Sequence, residues 1–272
     1  MPNEQPIGIF DSGFGGLTVA RAVIDLLPSE DVVYFGDTAR YPYGPRPLDE
    51  VRDFAIQITN YLVDEHNVKL LIVGCNTAAA AALEDLEKMV DVPIIGVIAP
   101  GAQSAIDVSE TKSIGVIGTV GTINSGAYVR AFNELSPQEI ELQPLACPGF
   151  VEFVEKGESS GEQLLVLAER LLAPIVSAKV DTLLLGCTHY PYLARAIAQV
   201  VGNDVVLVSS ADETAFAAAA CLKDMDLLAT KEKTGKRLFI SSGDVSWFAE
   251  VGQRLFGPEL ASAQPHEWNP SP

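Results

Sequence analysis

Leu71-Ile72-Val73-Gly74-Cys75-Asn76-Thr77 is matched, 112 positions further along, by Leu183-Leu184-Leu185-Gly186-Cys187-Thr188-His189. Each copy passes from an apolar, strand-like run through Gly and Cys to two small or polar hydrogen-bonding residues, and then to a helical pattern. Apolar runs without a polar face belong to strands covered on both sides, which is the signature of a parallel sheet flanked by helices. The same pattern extends outward from both copies. Ile7-Gly8-Ile9-Phe10, Val32-Val33-Tyr34-Phe35, the run to Val73 and Ile94-Ile95-Gly96-Val97-Ile98 form one set. Ile114-Gly115-Val116-Ile117, Glu141 to Ala146, Leu183-Leu184-Leu185 and Val205-Val206-Leu207-Val208 form a second, with helical patterns between the runs. The expected fold is α/β: two similar doubly wound parallel-sheet domains with the active site between them.

The spacings are alike in the two sets: 64 residues from Asp11 to Cys75 and 69 from Gly118 to Cys187. A boundary is expected near Ala99-Pro100-Gly101. The first domain then comprises 1–98, and the second 99–209. An Ala-rich helix from Thr214 to Leu228, a strand from Arg237 to Ile240 and an amphipathic stretch around Trp247 are expected to return to the first domain, so that about 210–260 completes it. Residues 261–272 are Pro-rich and polar and read as a loose tail.

Composition excludes more than it selects. The chain has 272 residues, 48% hydrophobic and 20% charged, as a folded globular protein does. A net charge of −18 disfavours binding to a phosphate backbone, so no direct nucleic-acid partner is expected. No apolar run is long enough to span a bilayer and no signal peptide precedes the first strand, so a cytoplasmic protein without a membrane partner is expected. Four cysteines without a CxxC pair point to reduced thiols.

In an open parallel sheet, ligands bind beyond the carboxyl ends of the strands, and Cys75 and Cys187 both fall there. A thiol at a helix N-terminus feels backbone donors and the positive end of the helix dipole, which lower its pKa below the free value of about 8.5. Thr77 and Thr188 suit capping of those helices or capture of a ligand carboxylate. A single cysteine at a strand end is more often packing, and that reading holds for Cys147 and Cys221; the duplicated context reverses it for Cys75 and Cys187.

The turn Asp11-Ser12-Gly13-Phe14-Gly15-Gly16 lacks both GxGxxG and a following Lys, so neither dinucleotide nor P-loop binding is supported. Its glycines fit close backbone packing, with Asp11 and Ser12 facing the ligand; Asp11 is suited to meeting an ammonium group, orienting a thiol or capping a helix. The loop Gly36 to Pro45 is long and aromatic, as functional loops on rigid sheets often are. Asp37 is an auxiliary candidate there. Arg40 and Arg46 suit carboxylate binding or plain solvation, and the backbone at Tyr43-Gly44 is an equal candidate for holding a polar group.

Taken together, Gly8 to Leu17, Tyr34-Phe35-Gly36-Asp37-Thr38 with Tyr41-Pro42-Tyr43-Gly44, Gly74-Cys75-Asn76-Thr77 and Gly186-Cys187-Thr188-His189-Tyr190-Pro191 resemble the cofactor-independent aspartate/glutamate racemases. The similarity runs from about Ile7 to Thr214. It implies two α/β domains around a buried site in which Cys75 and Cys187 are an acid/base pair. It further implies that Asp11, Ser12, Tyr43, Gly44, Asn76, Thr77, Thr188 and His189 contact glutamate or tune the thiols, with Thr119 and Thr122 as weaker candidates. The family's acidic residue after Cys-Pro corresponds best to Glu155, with Glu152 close by. Gly149 stands where a larger residue is common, and Ala78 to Ala82 is unusually plain.

The chemistry implied by that resemblance is interconversion of L- and D-glutamate. One face of Cα loses a proton and the opposite face gains one, a task for two bases on opposite walls. Cys75 would deprotonate D-glutamate and Cys187 L-glutamate, assisted by Asp11 and His189 respectively. Asn76, Thr77 and Thr188 would hold the carboxylate and stabilise the carbanion. No lysine lies in the motifs, and no cofactor is expected. Cys75, Cys187 and His189 could instead bind zinc, but no fourth ligand is evident and no metal is expected. A relative acting on aspartate and a non-catalytic binding module are the alternatives. The family further implies a supply of D-glutamate for peptidoglycan and, commonly, a homodimer.

Overall fold

The computed structural model describes residues 4–230 and 233–268 and turns each of these apolar runs into a parallel strand. In the first half these are β1 (Ile7–Asp11), β2 (Val32–Gly36), β3 (Leu70–Val73) and β4 (Ile94–Gly96). The second half holds β5 (Ser113–Gly118), β6 (Glu141–Ala146), β7 (Thr182–Gly186) and β8 (Val206–Ser209). Strands β1, β2, β3, β5 and β7 are buried along their whole length, which is why their sequences carry no polar alternation. Pro144 is tolerated because β6 is an edge strand.

The two halves share one topology. Strand order is β2-β1-β3-β4 in the first sheet and β6-β5-β7-β8 in the second. In each, the order reverses between the first and third strands, and such a switch point leaves a crevice at the carboxyl ends where ligands bind. Asp11 ends β1 and Cys75 lies in the loop that follows β3; the loops that follow β5 and β7 carry Thr119 and Cys187.

Helices cover both sheets: α1 (Leu17–Leu26), α2 (Leu48–His66) and α3 (Asn76–Met89) follow the first three strands. The second half contributes α5 (Val120–Asn124), α6 (Ala127–Leu135), α7 (Phe150–Lys156), α8 (Glu162–Ala178) and α9 (Ala194–Val201). Two helices carry the chain between the halves, α4 (Ile98–Val108) outward and α10 (Ser210–Asp224) back, and they pack on one another. The segment Ala99-Pro100-Gly101, expected as a boundary, is therefore the first turn of α4. Proline is compatible there because first-turn amides have no intrahelical acceptor. Helix α10 begins four residues earlier than expected because the Ser209 hydroxyl accepts the Ala211 amide and caps it.

The returning segment adds β9 (Arg237–Ser241), paired with β2, and α11 (Val245–Phe256). Its continuation corrects the loose-tail expectation. Gln264–Pro265 forms β10 against β9, and His266 and Trp268 pack their rings on Phe35 at 5.3 and 5.5 Å. Two buried aromatic contacts outweigh the polar composition of the segment. Residues 269–272 of that expected tail lie outside the described residues.

Candidate active site

The two switch points face one cavity of about 90 Å³. Cys75 and Cys187 both line it, as do Asp11, Ser12, Asn76, Thr77, Thr188 and His189. Tyr43 and Gly44 supply wall from the long loop, and Thr119 from the turn after β5. Thr122 is buried directly behind Thr119, and Asp37 lies behind Tyr43 rather than in the cavity.

Cys75 stands at the N-cap of α3 with extended backbone, φ −103° and ψ 120°, and no side chain caps the helix. The Ala78 amide of the first turn is thus free to bond the sulfur, and Ser12 Oγ lies 3.8 Å from it. These donors favour a thiolate, yet burial and the neighbouring Asp11 carboxylate dominate and push the thiol up to about 12. The expected lowering of this pKa is overturned: burial and Asp11 leave Cys75 a thiol at neutral pH.

Neither threonine caps a helix. Thr77 Oγ1 lies 3.0 Å from Thr119 Oγ1 and 3.2 Å from Thr122 Oγ1, which are 2.9 Å apart, so three hydroxyls from the two halves close a ring at the cavity wall. Thr119 is itself the N-cap of α5. Asn76 Nδ2 donates to Tyr128 OH at 2.7 Å, while its Oδ1 is buried without a partner and open to a donor.

The Cys187 wall is built differently. Cys187 is followed by a 3₁₀ turn, Tyr190–Leu193, so the helix N-terminus expected beside it is absent. In its place His189 Nδ1 lies 3.8 Å from Cys187 Sγ, and His189 Nε2 donates to Glu155 Oε1 at 3.2 Å. Burial alone would lower the imidazole pKa; the bonds to Cys187 and Glu155 outweigh it and carry it up to about 10. His189 is therefore a cation at neutral pH. Of the two acidic candidates, Glu155 is the one that meets His189; Glu152 lines the cavity from an exposed position on α7. Gly149 opens that helix at φ +96°, a left-handed conformation that suits glycine.

Asp11 joins the two walls. One carboxylate oxygen accepts the Gly13 amide at 2.7 Å, and the other accepts the Thr188 hydroxyl at 3.4 Å. Burial raises its pKa, opposed by the charge of His189. It does not cap α1, whose N-cap is Gly16.

Close approach explains one glycine of the turn. A Cβ on Gly15 would lie 2.4 Å from both His189 Nδ1 and Thr188 Oγ1. Gly15→Ala is expected to displace His189 and cut turnover by about 10²-fold, the cost of misplacing a catalytic group by an ångström; steady-state kinetics checks it.

The cation at His189 also sets a pH dependence of stability. Its folded pKa, about 10, exceeds the ordinary 6.5, so its contribution is fully present below pH 6.5 and fades as pH rises toward 10. Across that window the melting temperature of the wild type should fall relative to that of His189→Asn, read by calorimetry at stepped pH.

Some residues take other places than their sequence suggests. Arg40 pairs with Asp37 at 2.7 Å and Arg46 with Glu50 at 2.6 Å, and neither lines the cavity. Cys147, read as packing, lines it; Cys221, on α10, does not. Tyr41, Pro42 and Tyr190 line it without having been proposed as site residues, and Tyr128 orients Asn76 from behind. Only the aromatic loop gave a signal for Tyr41 and Pro42. Among the described residues no cluster of three or more His, Cys, Asp or Glu could hold a metal ion, and no helix is long and apolar enough to cross a membrane.

The two like parallel sheets thus share one cleft, with a thiol on each wall and a carboxylate and a histidine between them. Comparison with known proteins supplies the family. The Asp/Glu/Hydantoin racemase model matches residues 17–236. A glutamate racemase of Corynebacterium diphtheriae is 47% identical over 96% of this chain and 98% of its own. The solved structure of a Bacillus anthracis glutamate racemase superposes with TM-score 0.92 at 39% identity, covering 98% of each chain. One from Francisella tularensis, in complex with D-glutamate, gives 0.89 at 32% identity, again covering 98% of each. The chain belongs to the Asp/Glu/Hydantoin racemase family and is an enzyme of that class, an isomerase.

Proposed function

We propose that the protein interconverts L- and D-glutamate by a two-base mechanism without a cofactor. The observation that carries this reading is the pair of thiols lining one small cavity from equivalent switch points of the two sheets. Racemisation requires proton removal on one side of Cα and delivery on the other, and such a pair serves both sides without turning the substrate over. Cys75 serves D-glutamate and Cys187 L-glutamate, the assignment the family resemblance implies. In the L-to-D direction the Cys187 sulfur takes the α-proton as a thiolate, and the Cys75 thiol returns one on the other side.

The two walls contribute unequally. The His189 cation, held by Glu155, stabilises negative charge on the Cys187 sulfur. Cys75 rests as a thiol, ready to donate, and its own turn as base draws on the Ala78 amide, the Ser12 hydroxyl and proton acceptance by Asp11. The hydroxyls of Thr77, Thr119 and Thr188 and the Ser12 side chain suit the substrate carboxylates. Asn76 Oδ1 and Asp11 suit its ammonium group; Asn76 does not suit the carboxylate expected of it, because its Nδ2 donor is held by Tyr128. Burial of all these side chains but Thr119 strengthens their contacts. The product D-glutamate would supply peptidoglycan synthesis, as the resemblance implies.

The test uses purified protein with no added cofactor. Optical rotation of L-glutamate should decay to zero at a rate unaffected by a chelator or by hydroxylamine, which traps pyridoxal. A protein that neither racemises glutamate nor exchanges its α-proton with solvent contradicts the reading.

A further inference from the structure

Asp37 is fully buried, and its two carboxylate oxygens face different parts of the chain. Oδ2 accepts from Tyr43 OH and from Arg40 Nε at 2.7 Å, both in the loop that walls the cavity. Oδ1 accepts from Ser242 Oγ at 2.6 Å, just after β9, and from the indole Nε1 of Trp268 at 2.9 Å. The Arg40 guanidinium lies between Phe54 at 4.2 Å and Trp268 at 4.1 Å, a pair of cation–π contacts. Tyr43 packs on the same Phe54, ring centroids 5.6 Å apart. The Asp37 amide donates to the Asp11 carbonyl at 3.0 Å. Two cavity-lining residues, Tyr43 and Asp11, are thus each one hydrogen bond from Asp37, and Asp37 is one bond from the C-terminal segment.

The anchorage of that segment is specific. Strand β10 holds it to β9, and His266 packs between Tyr61, tilted at 4.1 Å, and Trp268, edge-on at 4.4 Å. A ring of this size needed only for packing has no use for its N–H. Here the N–H completes a buried carboxylate whose other oxygen holds the cavity wall, and a buried charge short of a donor repositions its remaining partners.

We infer that Trp268, acting through Asp37, is a positioning residue: the C-terminal segment latches the Arg40–Tyr43 loop in the conformation that forms the substrate-facing wall. The latch rests on the glutamate reading given above. It acts on binding geometry, since neither Asp37 nor Trp268 bonds to the thiols, to His189 or to Glu155.

Trp268→Phe keeps a ring on Arg40 and Phe35 and removes the N–H. Its KM for both glutamate enantiomers should rise roughly tenfold, the scale of one hydrogen bond to a charged group, with kcat within about twofold of the wild type. Asp37→Asn should shift KM in the same sense. Trp268→Ala, which also removes the ring, should shift it further. A residue that only stiffened the fold would lower the melting temperature and the active fraction, hence apparent kcat, and leave KM in place. Unchanged KM in Trp268→Phe, or a loss confined to kcat and melting temperature, overturns the latch. Wild-type protein without glutamate turnover overturns instead the functional reading on which it rests, so the two failures are separable.

Discussion

Cys75→Ser and Cys187→Ser are each expected to lower racemisation by about 10²- to 10⁴-fold, the range for removal of a positioned acid or base. Serine fits either site but is a far weaker acid than a thiol. Both sulfurs are almost fully buried, so replacement leaves the surface unchanged, and the melting temperatures should stay close to that of the wild type. The loss then lies in the chemistry. In the proposed mechanism the two thiols act in one transfer, so the double variant should be little slower than the slower single variant, as is found for groups that work as a unit. Additive losses would show that the thiols act independently. A single variant at wild-type rate would remove that thiol from the mechanism.

His189→Asn and Glu155→Gln carry the second large effect. Both weaken the Cys187 wall, at the 3.8 Å contact with sulfur and at the 3.2 Å contact behind it. A fall in kcat/KM of about 10²-fold is expected for His189→Asn, less for Glu155→Gln. The fall must be equal in the two directions, because enantiomers have equal free energies in water and the ratio of the two kcat/KM values is fixed at one. The asymmetry of the walls therefore shows in isotope effects. With Cys187 impaired, its proton transfer limits the rate in both directions. The primary isotope effect should grow with α-deuterated L-glutamate and shrink with α-deuterated D-glutamate. Equal isotope effects for the two enantiomers would show that His189 serves both thiols.

The sequence carried most of the frame because the sheets are parallel. Strands such as Leu70–Val73 and Thr182–Gly186 are buried on both faces and write themselves as unbroken apolar runs. Strand β10 left no such trace: Gln264–Pro265 is two residues long and exposed, and it is held by register with β9 and by the rings after it. The site was legible where neighbouring residues act together, as in Cys187-Thr188-His189. It was not legible where packing makes the partnership. Glu155 meets His189 across 34 residues, and Trp268 meets Asp37 across 231. Nor could the protonation of Cys75 be read from its place at a helix N-terminus, since burial, which sequence does not report, overrides the helix there.

The central claim, one proton transfer on each wall, is tested most directly by following L-glutamate in D₂O over the first few per cent of reaction. The D-glutamate formed should carry deuterium at Cα while the remaining L-glutamate keeps its protium, with the mirror result starting from D-glutamate. Product that retains the substrate's own proton would contradict it by showing a single base on both faces.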